Sequence, residues 1–271
     1  MIMETNMEVK YNINNEDAVL HLSMGNTKLG KTILNFATLP GNDVHRPQIT
    51  DKDTNEKVLL SNVDGTCSKY CDNCAKNGAC YAWKMLCLHH NVVTKAWADN
   101  TVLLREGKVF DMIDDELTNN SAYSNIKLFR INVSGEIENL TQLEGWNDLA
   151  KKHPKIQFSL YTKNFDVLEE FILKHGDTNK NFVINVSQWN HVADEFLKKY
   201  PNKFNVFEYD GSIRKSDEYL EEDIKRLANE KHCPAVLKNG KHFKKNGVDF
   251  TCDMCKKCYK KTGKLTAVYA H

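Results

Sequence analysis

The sequence predicts an α/β chain built on a parallel sheet, either open or curled into a partial (β/α) barrel. Three observations carry this: apolar runs of strand length, amphipathic stretches between them, and polar residues where the runs stop. The runs are residues 126–133, 156–161, 182–186 and 204–207, with a weaker one at 234–237. Their centres lie roughly 22 to 30 residues apart, the repeat of a strand–helix unit, and such units build parallel sheets.

The connecting stretches carry helical periodicity. Leu140, Leu143, Trp146 and Leu149 share one helical face, as do Leu168, Phe171 and Ile172. His153-Pro154 and Tyr200-Pro201 each end a helix just before a strand, because proline cannot continue the hydrogen-bond ladder.

Upstream, residues 19–22 and 32–36 read as short strands flanking a Gly-containing loop, and 58–62 as a strand leading into a cysteine-rich loop. From Cys80 to about Leu104 the chain is rich in Ala, Lys, Leu and Trp without Gly or Pro, and reads as one long helix. The expected organisation is an irregular β-rich segment over 1–57, a βα core over 58–232 and a cysteine-rich segment over 233–271. All three would form a single compact unit.

With 271 residues, 41% apolar and 27% charged, the chain has the composition of an ordinary globular protein. Lys+Arg number 37 against Asp+Glu 36, so no net charge points to nucleic acid or an anionic membrane. The basic stretch 238–245 reads as a solvated loop. No apolar run reaches the ~20 residues of a membrane helix. The N-terminus lacks a basic region followed by an apolar one, so secretion is not expected and a cytoplasmic location is.

In a reducing compartment cysteine density signals metal or redox chemistry rather than disulfides. Eight of the nine cysteines fall into two sets. Cys67, Cys71, Cys74 and Cys80 form the first, where Cys-x3-Cys-x2-Cys lets one loop wrap three thiolates around a metal cube. Cys252, Cys255 and Cys258, with the remote Cys233-Pro234, form the second and resemble the bacterial ferredoxin run. Soft thiolates suit iron–sulfur clusters or zinc. A tight triple favours iron, since structural zinc usually takes cysteines two by two. If Cys80 closes the first set the site is saturated; if it does not, one iron stays open for a ligand. Cys87 stands apart and reads as a small buried hydrophobe. His89 and His90 point about 100° apart on a helix and cannot share a metal.

Function in such sheets gathers at the strands' C-terminal ends. Those ends read Ser134-Gly135-Glu136, Tyr161-Thr162-Lys163-Asn164, Ser187-Gln188-Trp189-Asn190 and Glu208-Tyr209-Asp210-Gly211. Ser, Asn, Asp and Gly also serve as turn and helix-cap residues, so either role is open for each.

The Cys-x3-Cys-x2-Cys loop, followed by βα units, resembles the radical S-adenosylmethionine superfamily. That resemblance implies a 4Fe–4S cluster on Cys67, Cys71 and Cys74, with the open iron binding the amino and carboxylate groups of S-adenosylmethionine. It implies that Ser134, Gly135 and Glu136 contact the methionine amino group and that Ser187 and Gln188 lie near the ribose. Asn73 stands where that superfamily usually has an aromatic, and Ser134 where it has the first glycine of a triplet. The reaction implied is cleavage of S-adenosylmethionine to a 5′-deoxyadenosyl radical, needing a reductant and a small-molecule or macromolecular substrate. Lys163, Tyr161, Arg130 and Asp210 are then candidates to grip that substrate. The C-terminal set looks like an auxiliary 4Fe–4S cluster.

A closer resemblance covers nearly the whole chain. Ser23-Met24-Gly25-Asn26-Thr27-Lys28-Leu29-Gly30, Cys80-Tyr81-Ala82-Trp83-Lys84, Arg130-Ile131-Asn132-Val133-Ser134-Gly135-Glu136 and Tyr161-Thr162-Lys163 look like the phage gene product 88 family. That family implies a phage or mobile-element origin and names no reaction. A non-catalytic iron–sulfur protein and a zinc-stabilised binding module are the alternatives to an enzyme.

Overall fold

A computed structural model describes residues 8–25, 29–71, 80–188, 190–210, 232–233 and 244–269. The early chain forms β1 (Val9–Tyr11), β2 (Ser23–Met24), β3 (Ile33–Asn35), β4 (Gln48–Thr50) and β5 (Lys57–Ser61). Two helices follow, α1 (Tyr81–Arg105) and α2 (Val109–Asn119). Then strands and helices alternate: β6 (Leu128–Ile131), α3 (Leu140–Lys152), β7 (Gln157–Thr162), α4 (Phe165–His175), β8 (Phe182–Ser187), α5 (His191–Lys199) and β9 (Asn205–Asp210). A hairpin of β10 (Lys244–Lys245) and β11 (Val248–Asp249), a single helical turn over Cys252–Cys255, and β12 (Leu265–Tyr269) complete the described chain.

The main sheet has seven strands in the order β12-β9-β8-β7-β6-β3-β2. Every neighbouring pair is parallel except β2 with β3 at one edge. The sheet therefore takes β3 from the N-terminal segment and β12 from the C-terminal one, and all three expected segments meet in it. A separate three-stranded sheet runs β1-β5-β4.

Strand alternation divides the main sheet into two unlike faces. Phe129 and Ile131 on β6, Phe158 and Leu160 on β7, and Phe182, Ile184 and Val186 on β8 join one apolar core. Against them pack Leu143, Trp146 and Leu149 of α3, Leu168 and Phe171 of α4, and Phe196 of α5. Trp146 is fully buried, with ring centroids 5.1 Å from Phe36 and 5.2 Å from Phe110. Burying such a ring contributes about 2–3 kcal/mol. The intervening residues Arg130, Ser159, Tyr161, Asn185, Ser187, Asn205 and Phe207 belong to the other face, and most are polar. The helical faces anticipated from periodicity are those that pack. The helices before both prolines end as expected, α3 at Lys152 and α5 at Lys199.

Three expectations need correction. The strand placed at 19–22 lies instead at Ser23–Met24, where the backbone pairs with β3. The strand entering the cysteine loop is β5, and it belongs to the small sheet rather than to the parallel one. Its pairing with the short β1 and β4 depends on distant segments, which local pattern does not report. Cys87 is exposed, not buried; the inward residues of that turn are Ala82 and Leu86, and Cys87 is one position, about 100°, beyond Leu86. Strand β12 has no counterpart in the sequence reading. The run at 234–237 lies outside the described residues, as does Cys74.

Candidate functional site

The site starts from three turns locked together at the sheet's C-terminal edge. After β6 the chain enters the left-handed region at Asn132 (φ 56°) and again at Gly135 (φ 78°). A Cβ at Gly135 would overlap the hydroxyls of Thr38 and Thr66. Those hydroxyls lie 2.9 Å apart in a buried hydrogen bond. The Thr38 amide donates to Ser134 O at 3.0 Å, and the Glu136 amide donates to Thr66 Oγ1 at 2.8 Å. Thr66 immediately precedes Cys67, so the glycine sets how closely the cysteine loop approaches the end of β6. Arg105, at the end of α1, ties the same parts from outside, gripping Glu138 and donating to Gly65 O at 3.2 Å.

The thiols converge beside this turn. Cys67 Sγ accepts from the Gly41 amide at 3.2 Å, and Cys80 Sγ caps α1 by accepting from the Trp83 amide at 3.3 Å. A hydrogen bond that the Cys67 thiol donates to Cys71, burial, and the nearby Cys71 and Cys80 push that thiol well above the ordinary thiol range. Downstream of Cys67, Lys69 pairs with Asp166 at 2.8 Å and the Tyr70 hydroxyl donates to Asp166 at 2.5 Å, fastening the loop to the start of α4.

One cavity is lined by Cys67, Cys71 and Cys80 together with Arg130, Asn132, Ser134, Gly135, Glu136, Tyr161, Lys163, Ser187, Gln188 and Phe207. Every candidate cofactor-binding residue from the sequence is present, with the candidate substrate residues Arg130, Tyr161 and Lys163. The backbone of Asp210 closes β9 in register with Tyr269 of β12.

Glu136 is 4% exposed. It accepts from Thr162 Oγ1 at 2.7 Å and from the Lys163 amide at 3.0 and 3.1 Å. Burial pushes its carboxyl up to about 7, against the opposing pull of Lys163. Gln188 is held by its side-chain bond to Asp194 at 2.5 Å. At that strand end Asn190 is a helix cap, accepting from the Ala193 amide at 3.1 Å.

Sequence reasoning missed Asn132. It is 5% exposed, and both its Oδ1 and Nδ2 lack a partner among the described residues. Ser134 Oγ and Arg130 Nε are likewise buried and unpartnered. Buried polar atoms are normally satisfied by protein, water or a bound group, and these four lie together at one strand end bordering the cavity. An asparagine just past a strand end was the available signal, but turns use asparagine equally often.

The second cysteine set packs on the polar face of the sheet. Lys256 (φ 56°) reverses the chain after the Cys252–Cys255 turn. Ser159 Oγ and Asn185 Nδ2 donate to Cys258 O at 3.0 and 3.1 Å, and Asn205 Nδ2 donates to Lys260 O at 2.9 Å. Three adjacent strands thus clamp the cysteine segment. The Asp253 amide donates to Leu29 O at 3.0 Å, and the Cys233 amide to Ala267 O at 2.8 Å. Cys233, Cys252, Cys255 and Cys258 border a second cavity with Leu29, Tyr259 and Thr266, and Arg130, Tyr161 and Phe207 belong to both cavities.

Among the described residues, no three His, Cys, Asp or Glu side chains close on one point tightly enough to hold a single metal ion. The donor chemistry nevertheless suits a thiolate-ligated group: each set gathers soft sulfur donors in one cavity. In the first set, two of the sulfurs already accept from backbone amides.

Fold and site together define an α/β protein with two cysteine-lined cavities back to back across the end of a mostly parallel sheet. The chain belongs to the gene product 88 family, whose model matches residues 20–261. No curated protein and no solved structure matches it. Among the described residues, no helix is long and apolar enough to cross a membrane.

Proposed function

We propose that this chain is an iron–sulfur protein with a cluster at each cysteine set, the first serving radical S-adenosylmethionine-type chemistry. The observation that carries the reading is the shared cavity. Thiols from the 67–80 loop meet the orphaned polar atoms of Asn132 and Ser134 and the buried Glu136 at the ends of parallel strands.

Cys67 and Cys71, with Cys74, would hold the first cluster; Cys233, Cys252, Cys255 and Cys258 would hold the second. When bound, the first cluster supplies an electron to the sulfonium of S-adenosylmethionine. The chain's own residues bind and orient. Glu136 is placed to accept from a ligand ammonium, and the Asn132 amide offers a donor and an acceptor at once. Ser187 and Gln188, at the end of β8, would lie near the ribose. Lys163, Arg130 and Tyr161 remain to hold a substrate, with Asp210 at the neighbouring strand end. Substrate and reductant are external partners.

Cys80 favours a second reading. Its sulfur borders the same cavity as Cys67 and Cys71, so it is a candidate fourth thiolate. A saturated cluster there would transfer electrons, sense redox state or brace the fold without cleaving the cofactor.

The test is iron, sulfide and zinc content of anaerobically purified protein, with electron paramagnetic resonance after reduction, with and without S-adenosylmethionine. About eight irons per chain and a signal altered by the cofactor are expected. Cys67→Ala and Cys71→Ala should each abolish the first cluster, while Cys87→Ala leaves metal content unchanged. Iron with no cofactor response selects the second reading, and stoichiometric zinc without sulfide refutes both.

A further inference from the structure

We infer that Tyr161 and Arg130 are outer partners of the C-terminal cysteine set and raise the reduction potential of the cluster it holds. This inference rests on the iron–sulfur reading above and gives these two residues a role beyond gripping substrate.

The two side chains stand on adjacent strands, on the sheet face away from the helices, and both border both cavities. The Arg130 guanidinium lies over the Tyr161 ring, 4.8 Å from its centroid. Phe207 meets that ring edge-on at 5.3 Å and fixes its orientation. So held, Tyr161 stands in the wall of the second cavity beside Cys258, where its hydroxyl is available to a ligand sulfur. Arg130 lines that cavity together with Cys252, Cys258 and Tyr259.

The charge on Arg130 asks for a counter-charge. Among the described residues no carboxylate pairs with it, and its buried Nε has no hydrogen-bond partner. A guanidinium partly withdrawn from water with no carboxylate paired to it is costly, and neutral thiols do not offset it. A cubane cluster held by four thiolates carries net negative charge and does. The site therefore has its cation in place on the side of Cys252 and Cys258.

The consequence for electron transfer has a definite sign. Reduction adds one electron to the cluster and makes it more negative, while no bond to the protein forms or breaks. A hydroxyl donating to a ligand sulfur and a nearby cation both stabilise the reduced form more than the oxidised one. Removing either lowers the potential.

The experiment is a redox titration of full-length anaerobic protein with dithionite, followed by electron paramagnetic resonance, comparing wild type with Tyr161→Phe and Arg130→Met. Cys67→Ala, which lacks the first cluster, assigns the signals. In Tyr161→Phe the C-terminal cluster should reduce about tenfold less favourably, roughly 59 mV lower for one electron, with iron and sulfide content unchanged. Arg130→Met should shift the same signal in the same direction, and it decides the matter if the Phe variant loses its cluster. Two clusters with unmoved potentials overturn this inference and leave the proposed function standing. Zinc at the C-terminal set of the wild type overturns both.

Discussion

Replacing Gly135 with alanine tests the turn on which the first cavity depends. At φ 78° an L-residue with a side chain is strained, by about 1–2 kcal/mol. The new methyl would also overlap Thr38 Oγ1 and Thr66 Oγ1, which are buried and hydrogen-bonded to each other. Relieving that overlap moves either the strand end or the cysteine loop, an overpacking cost of about 1–3 kcal/mol. The lower conformational entropy of an unfolded alanine returns about 0.4–1 kcal/mol. A net loss of roughly 2–4 kcal/mol is expected. It is read as the shift in urea midpoint of metal-free protein with its thiols kept reduced. Because Thr38 contributes half of the overlap, Thr38→Ala should recover part of the loss in the double variant, which two independent sites would not show. A Gly135→Ala protein within 0.5 kcal/mol of wild type, or strict additivity in the double variant, would refute the claim that this glycine sets the loop's approach.

Three further predictions follow from the same geometry. Cys80→Ala removes the sulfur that caps α1 and should cost about 1 kcal/mol of stability, whereas its iron content should stay at the wild-type level if Cys67, Cys71 and Cys74 suffice; loss of four irons makes Cys80 a ligand. Glu136 is pushed up to about 7 from 4.5, mainly by burial, so the folded chain holds this proton more tightly than the unfolded one. Its contribution to stability is complete below pH 4.5 and is lost as pH rises through 7, about 3 kcal/mol in all; Glu136→Gln should flatten that part of the urea-midpoint profile between pH 5 and 8, and an unchanged slope would refute the assignment. Asn185→Leu should leave Ser159, Asn205 and the Cys258 carbonyl short of partners, costing roughly 2–4 kcal/mol, with faster labelling of Cys252, Cys255 and Cys258 by a thiol reagent; unaltered labelling would show that the strand clamp does not seat the segment.

Much of the architecture was legible because it is written in local periodicity. The strands at β6, β7, β8 and β9 and the packed faces of α3 and α4 follow from apolar runs of strand length and from 3.6-residue spacing, which need no distant partner. The proline stops after His153 and Tyr200 are local steric facts. The cysteine spacings and the polar strand ends likewise singled out most of the residues that line the first cavity, since function in parallel sheets collects at one edge. Apart from the side of α1 on which Cys87 falls, what failed depended on a partner far along the chain. Strand β12 is a short run, Leu265–Tyr269, whose place beside β9 is decided by where the cysteine segment docks. The placement of β5 in a separate sheet depends on β1 and β4.

By itself, then, the sequence determined an α/β chain with two thiol sets and a polar edge, because spacing and periodicity are properties of neighbouring residues. Only the tertiary structure decided that the two sets lie back to back, sharing Arg130 and Tyr161. Strand alternation puts Arg130, Ser159, Tyr161, Asn185 and Asn205 on one face. Which face that is, and that the C-terminal cysteines cover it, follows from packing the apolar residues of those same strands against α3, α4 and α5. The orphaned amide of Asn132 belongs to the same class of fact: whether a buried polar group lacks a partner is a property of everything folded around it.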